Sequence, residues 1–176
     1  MKLNSFNQLS HQQAFDLLMQ CNTSENWCHK MAEARPFSHS DHLLKMADTF
    51  WQASTSSDLL AAFDGHPEIG DVSTLREKYQ NTGQSARHEQ SGVDSANEEI
   101  LQALANGNKD YKNKFGFIFI ICASGKSAQE MLLNLQKRVA NTRQQELANA
   151  AGEQRKITQI RLKKMLADGG KTNEPN

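Results

Sequence analysis

Apolar side chains recur every three or four residues along most of this chain, which is the spacing of one face of an α-helix. Two of these apolar stripes follow serines that are suited to cap a helix, Ser10 and Ser40. The first stripe consists of Ala14, Leu17, Leu18 and Cys21, and the second of Leu43, Leu44, Ala47, Phe50 and Trp51. Both stripes predict helices that pack one face into a core.

Two more helices are predicted in the last third of the sequence. Ser127 stands three residues before Glu130, and Thr142 stands three residues before Gln145, which is the spacing of a capping box. An apolar stripe of Met131, Leu132, Leu135 and Val139 follows the first pair. Gly152 lies inside the last predicted helix, where glycine costs about 1 kcal/mol relative to alanine, so a kink or a fold-back remains open there.

The segment 117–123 interrupts the helical pattern. It is a continuous apolar run rich in isoleucine and phenylalanine, and by composition alone it would suit a buried strand. The sequence offers no second strand-like run to form a sheet with it. We therefore predict a buried extended or helical segment, with Phe115, Phe117 and Phe119 either in the core or in the wall of a pocket.

These patterns together predict an all-α fold, a single-domain helical bundle over residues 1–168. Residues 169–176 contain no apolar side chain to bury, so we expect a flexible C-terminal tail there.

Charge and cysteine content narrow the class of partner. The chain carries 20 basic and 20 acidic side chains, so we expect neither a nucleic acid nor a membrane as partner, but a small molecule. Cys21, Cys28 and Cys122 show neither CxxC nor metal-ligand spacing, which indicates reduced thiols in a cytoplasmic protein. No apolar run approaches the roughly 18 to 20 residues of a membrane span.

Two other kinds of site are disfavoured by spacing. The sequence Ser124-Gly125-Lys126-Ser127 imitates the end of a phosphate-binding loop, but Ile120 stands where that motif requires glycine. His39 and His42 are three residues apart and belong to no HxxxH pair, so no metal site is predicted.

His66 is a candidate proton donor because of its neighbours, Gly65 and Pro67. Proline fixes its own backbone and disfavours the helical conformation of the residue before it, so we expect the imidazole in a fixed orientation at the end of a helix. Histidine titrates near pH 6.5 and therefore exchanges protons readily at neutral pH.

Three blocks follow one another in an order that resembles one enzyme family. They are Gly65-His66-Pro67, then His88-Glu89-Gln90-Ser91-Gly92, then Lys114-Phe115-Gly116-Phe117 with its apolar run to Cys122-Ala123. The ordered set resembles the 2-oxo-4-hydroxy-4-carboxy-5-ureidoimidazoline (OHCU) decarboxylases of urate degradation. Ala34-Arg35-Pro36-Phe37 and residues 155–162 extend the resemblance over most of residues 30–166.

The resemblance implies an all-α bundle of the OHCU decarboxylase type and a carboxy-lyase that needs no cofactor and converts OHCU to (S)-allantoin. It also implies a homodimer. His66 would be the general acid/base and Glu89 its catalytic partner. The substrate-binding residues implied in the same way are Pro67, Ser85, Ala86, Gln90, Ile120, Ile121, Cys122, Ala123, Ser124 and Arg161.

Several alternatives stay open. Many family members have a serine three residues before the glutamate, where this chain has Ala86, with Ser85 beside it. Arg155 and Lys163 are alternatives to Arg161 as the cation that binds the substrate carboxylate. At the level of function, the rivals are a non-catalytic helical binding or regulatory module and a decarboxylase of a related ureido acid.

Overall fold

The computed structural model describes residues 1–66 and 90–167, with only the backbone described for residues 90–97. Within these ranges every regular element is an α-helix, which confirms the all-α prediction. The eight helices described are α1 Leu3–Asn7, α2 His11–Met19, α3 Glu25–Glu33, α4 Ser40–Gln52, α5 Ser56–Asp64, α6 Gln90–Phe115, α7 Ala128–Val139 and α8 Arg143–Ala167.

Local sequence signals set several helix starts. The hydroxyl of Ser10 accepts from the backbone of Gln13, whose side chain in turn accepts from the Ser10 N–H. The predicted boxes at Ser127 and Thr142 are confirmed in the same reciprocal form. The predicted cap at Ser40 is wrong by one residue, because the ring Nδ1 of His39 accepts from the His42 N–H at 3.1 Å.

The described residues fall into two compact units. The first unit contains residues 1–66 and 151–167, and the second contains residues 90–150. The last helix, α8, contributes residues to both and is continuous through Gly152, where the sequence left a fold-back open. The prediction of one domain over residues 1–168 stays a prediction.

The core of the first unit follows the predicted apolar stripes. Both stripes turn their central residues inward, and the buried members include Ala14, Leu18, Leu43, Ala47 and Trp51. The Trp27 indole donates to the carbonyl of Ala47 at 3.0 Å, and the Trp51 indole donates to the carbonyl of Ala151 at 2.9 Å. Each indole N–H thus has a partner, which offsets the cost of removing that polar group from water.

The second unit packs α6 against α7. A Cβ built on Gly107 would lie 2.6 Å from the Cδ2 atom of Leu135, so glycine permits the close approach of the two helices. The segment 117–123 adopts no regular element and is largely buried, so the predicted burial is confirmed and the helical alternative is wrong. The rings of Phe115, Phe117 and Phe119 pack around Tyr111, which places them in the core of this unit.

None of the helices described is both long enough and apolar enough to cross a lipid bilayer.

Candidate active site

His66 follows directly on the end of α5. Its backbone N–H donates to the carbonyl of Phe63 at 3.1 Å, and Gly65 precedes it as the helix C-cap. A Cβ built on Gly65 would lie 2.1 Å from the hydroxyl oxygen of Thr23, which itself donates to the carbonyl of Ala61 at 2.9 Å. Glycine is therefore required for this contact, and the contact fixes the chain immediately before His66.

The His66 ring is connected to a buried polar network in the first unit. Its Nε2 lies 2.6 Å from the side-chain oxygen of Gln154, which is on α8. The amide nitrogen of Gln154 donates to the Thr158 hydroxyl at 3.3 Å, and Asn22 donates to the same hydroxyl at 3.3 Å. Gln154 and Asn22 are fully buried and Thr158 is 5% exposed. We call these four side chains the His66 network.

The environment of His66 favours its neutral form. Burial lowers the pKa of the partly buried ring below the usual 6.5, and the positive charge of Arg161 lowers it further. The hydrogen bond to Gln154 opposes this shift without reversing it. At neutral pH the ring is thus an imidazole that can accept a proton and return it.

Arg161 lines a cavity of about 670 Å³ in the first unit. Cys21, Thr23, Gly65 and Lys164 lie in the same wall, and Arg161 donates to the carbonyl of Cys21 at 3.3 Å. The guanidinium therefore faces a space large enough for a small anion, next to the glycine that precedes His66.

Arg155, a rival for the same role, is engaged elsewhere. Its Nε donates to a carboxylate oxygen of Asp48 at 2.7 Å, and its Nη2 pairs with the other oxygen. This bidentate pair keeps the Arg155 guanidinium on Asp48. Lys163, the second rival, has an exposed side chain. The geometry thus favours Arg161 among the three cations.

The segment Ile120 to Ser124 lies in the second unit, where two basic side chains hold its backbone. Arg138 donates to the carbonyl of Ile120 at 2.7 Å, and Lys126 donates to the carbonyl of Cys122 at 2.8 Å. The Arg138 guanidinium also lies over the Phe119 ring, 4.6 Å from its centroid. These contacts orient a segment that has no helical hydrogen bonds of its own.

A buried carboxylate anchors Arg138. Glu146 is fully buried, accepts from the Nε of Arg138 at 2.8 Å, and accepts from the amides of Asn141 at 2.6 Å and Asn149 at 2.8 Å. Burial raises the pKa of this carboxyl, but the hydrogen bonds from Tyr111, Asn141 and Asn149 and the charge of Arg138 outweigh burial and lower it. Glu146 therefore stays ionised and fixes Arg138 in place.

Several candidate residues lie outside what the structure describes. Pro67, Ser85, Ala86 and Glu89 belong to the undescribed range, and Gln90 is the first residue of α6, with its side chain undescribed. His66 and Arg161 belong to one unit and Ile120 to Ser124 to the other, and each group is organised within its own unit.

Two groups of residues in these sites were not predicted from the sequence. Gln154 and Thr158 are one helical turn apart on α8, and polar residues at that spacing on a buried face were the available signal for the His66 network. The pair Arg138 and Glu146 offered no such signal, because the two residues lie on different helices. Within the described residues no cluster of three or more side chains could hold a metal ion.

A helical fold that holds a neutral histidine directly after a residue of a cationic cavity suits an enzyme that moves protons on an anionic substrate. Comparison with known proteins identifies the family. The profile of the family described as OHCU decarboxylase matches residues 7–163, and the chain belongs to this family.

The relatives agree with that family. The chain is 34% identical over 151 residues to the uric acid degradation bifunctional protein TTL of Arabidopsis thaliana, covering 86% of this chain and 47% of that protein. It is 27% identical over 170 residues to the uric acid degradation bifunctional protein of Bacillus sp. (strain TB-90), covering 96% of this chain and 33% of that protein. The chain thus spans half or less of the length of these bifunctional relatives.

A solved structure covers the fold more completely. A crystal structure of OHCU decarboxylase in the presence of (S)-allantoin matches with a TM-score of 0.70 and 34% sequence identity. The match covers 87% of this chain and 99% of that one. The described helices therefore form the fold of the OHCU decarboxylases.

Proposed function

We propose that this chain catalyses the decarboxylation of OHCU to (S)-allantoin in urate degradation, without a cofactor, with His66 as the general acid/base. Family membership carries the choice of reaction. The hydrogen bond of 2.6 Å between His66 and buried Gln154 supports the choice of His66, because it holds a titratable ring in one orientation. The alternatives are a decarboxylase of a related ureido acid and a helical module without catalysis.

The chemistry of OHCU defines what the protein must supply. Carbon 4 carries a hydroxyl and a carboxylate, and carbon 5 carries the ureido group and a double bond to a ring nitrogen. When the bond from carbon 4 to the carboxylate breaks, carbon dioxide leaves and its electron pair forms a double bond between carbons 4 and 5. The electrons of the carbon–nitrogen double bond move to the ring nitrogen, which takes a proton from solvent.

The second half of the reaction is a proton transfer between two positions of the substrate. His66 takes the proton of the carbon 4 hydroxyl, whose oxygen becomes a carbonyl, and returns it to carbon 5. Delivery to one face of carbon 5 gives the (S) product. The lowered pKa of His66 suits this role, since the ring must be neutral when the cycle begins.

Arg161 is the proposed contact for the substrate carboxylate or a ureido oxygen. A guanidinium makes paired hydrogen bonds to such groups, and Arg161 faces the cavity of about 670 Å³. Lys164 lines the same cavity and adds positive potential. Arg155 is not proposed, because its guanidinium is paired with Asp48.

The other proposed contacts rest on the family resemblance. Glu89 would orient the imidazole of His66 or hold the substrate's hydroxyl and ureido donors. Pro67, Ser85, Ala86 and Gln90 would bind the substrate beside it. The backbone from Ile120 to Ser124 would offer amide and carbonyl groups, and its fixation by Arg138 and Lys126 supports this role.

Two further proposals concern the setting of the enzyme. The family resemblance supports a homodimer. Cys21 and Cys28 are buried as free thiols, which supports a reducing, cytoplasmic compartment.

Circular dichroism of the product tests the proposed function. Urate oxidase and hydroxyisourate hydrolase would generate OHCU in situ, with and without this protein. Rapid formation of optically active (S)-allantoin is the expected result. Slow racemic product from folded protein would overturn the proposal. Faster turnover of a different ureido acid in a substrate panel would favour the related decarboxylase.

A further inference from the structure

The His66 network contains buried amides that the family resemblance does not assign to the reaction. Gln154 and Asn22 are fully buried, and each has hydrogen-bond partners on both ends of its amide. A buried amide that lost a partner would cost about 1–3 kcal/mol, which favours an arrangement in which both ends of each amide are paired.

One group beside Asn22 can only donate a hydrogen bond, so it determines which end of the Asn22 amide faces it. The backbone N–H of Ser24 donates to the side-chain oxygen of Asn22 at 3.0 Å, which directs the Asn22 nitrogen to the Thr158 hydroxyl. The sulfhydryl of Cys28 donates to the backbone carbonyl of Asn22 at 3.0 Å and holds that residue from a second side.

The amide of Gln154 has a defined orientation as well. The Gln154 nitrogen donates to the Thr158 hydroxyl, so the Gln154 oxygen faces the imidazole at 2.6 Å. An amide oxygen accepts and never donates. The ring nitrogen opposite it, Nε2, therefore has to carry the hydrogen.

We infer that Gln154 is a positioning residue that holds neutral His66 as the Nε2–H tautomer, which makes Nδ1 the nitrogen that exchanges the proton with the substrate. This inference rests on the proposed function in one respect, that His66 is the acid/base. It goes beyond that function because it names the reactive nitrogen and the residue that selects it.

The tautomer has a direct chemical consequence. In the neutral ring, Nδ1 holds the lone pair that takes the proton of the substrate hydroxyl, which leaves Glu89 the second of its two proposed roles, holding the substrate's donors. In the imidazolium that follows, Nε2–H keeps its bond to Gln154, so the ring does not rotate before Nδ1 returns the proton. Without Gln154 the ring would populate both tautomers and several orientations. A smaller share of molecules would then have an unprotonated Nδ1 directed at the substrate.

Nitrogen NMR tests the inference without relying on turnover. Protein with ¹⁵N-labelled histidine gives distinct long-range proton–nitrogen correlations for the two tautomers, and the His66→Asn variant identifies the signals of this ring. The wild-type protein at neutral pH is expected to show the Nε2–H tautomer. An Nδ1–H tautomer would overturn the inference.

Two substitutions and one matched control complete the test. Gln154→Leu removes the acceptor and should mix the tautomers and lower kcat about 10- to 100-fold, with KM changed less than about threefold. Gln154→Glu keeps an acceptor oxygen and should retain the Nε2–H tautomer. Gln159→Leu is the control, since Gln159 lies on the same helix but donates to Leu44 and Asp48 instead.

The outcomes separate this inference from the proposed function. Unchanged kcat in folded Gln154→Leu would overturn the positioning role. Active wild-type protein with the Nδ1–H tautomer would overturn the inference alone. Inactive wild-type protein with the Nε2–H tautomer would overturn the proposed function, and with it the positioning role of Gln154.

Discussion

Arg138 pairs with Glu146 at 2.8 Å, and the carboxylate of this pair is fully buried. The same guanidinium donates to the carbonyl of Ile120, so one ion pair connects α7, α8 and the irregular segment. A buried pair of this kind adds little net stability by itself, yet the loss of one partner leaves the other charge uncompensated. The pair is therefore a structural requirement of the second unit.

Replacing Arg138 tests that requirement. Arg138→Ala should lower the free energy of unfolding by about 3–5 kcal/mol, because Glu146 would lose its counter-charge in a buried position. Urea unfolding followed by circular dichroism measures this change. Arg155→Ala is the control: the Arg155 side chain is 48% exposed and that of its partner Asp48 is 22% exposed, so the loss should stay within about 1 kcal/mol. Equal losses of stability in the two variants would contradict a special structural role of the buried pair.

Alanine substitutions at two helical glycines should change the free energy of unfolding in opposite directions. Gly152→Ala places its methyl group where no described atom beyond the local helix lies within 4 Å, so it should raise the free energy of unfolding by about 0.5–1 kcal/mol. Gly107→Ala places its methyl group against buried Leu135, and the overpacking should exceed the gain in helix propensity, for a net loss of about 1 kcal/mol. Thermal unfolding of both variants measures the difference, and stabilisation by both would contradict the close approach of α6 and α7.

The capping boxes show what the sequence predicts well. Ser127 with Glu130, and Thr142 with Gln145, act within one helical turn, so the local pattern contains all the information needed. The irregular segment around Ile120 was identifiable only as an interruption of the pattern. Its orientation depends on Arg138, which lies 18 residues away in sequence.

The His66 network marks the limit of sequence reasoning. His66 was predictable from its glycine and proline neighbours and from the family resemblance. Its partner Gln154 lies 88 residues away, and no local pattern relates the two. The cap at His39 was not predicted for another reason. A ring nitrogen of His39 accepts the hydrogen bond that was expected at the hydroxyl of Ser40, one residue later.

The pH dependence of turnover follows from the state of His66. Burial and the charge of Arg161 hold the pKa of the ring below 6.5. The neutral ring is the active form, so kcat/KM should rise with pH through an ionisation below 6.5 and be level near pH 7. Initial rates between pH 5 and 8, with the coupling enzymes in excess at each pH, measure this profile. An ionisation above pH 7 on the rising limb would contradict the proposed environment.

Arg161 should act mainly in substrate binding. Arg161→Ala should raise KM about 10- to 100-fold, since a hydrogen bond to a charged group contributes about 1.5–3 kcal/mol. Steady-state kinetics measure the change, and Arg155→Ala, whose guanidinium is held by Asp48, should leave KM unchanged. A fall in kcat alone would show that the Arg161 contact forms only in the transition state. If Arg155→Ala raised KM and Arg161→Ala did not, Arg155 would be the arginine that binds the charged group of the substrate.

His66→Asn shows whether His66 is the general acid/base of the reaction. The variant should fold normally, since asparagine can still hydrogen-bond near Gln154, and should lose about 10²- to 10⁴-fold of the rate, the usual contribution of general acid/base catalysis. The measurement is the rate of (S)-allantoin formation, followed by circular dichroism with wild-type protein and His66→Asn side by side. Loss of the optically active product in the folded variant is the predicted result, and an unchanged rate would remove His66 from the mechanism.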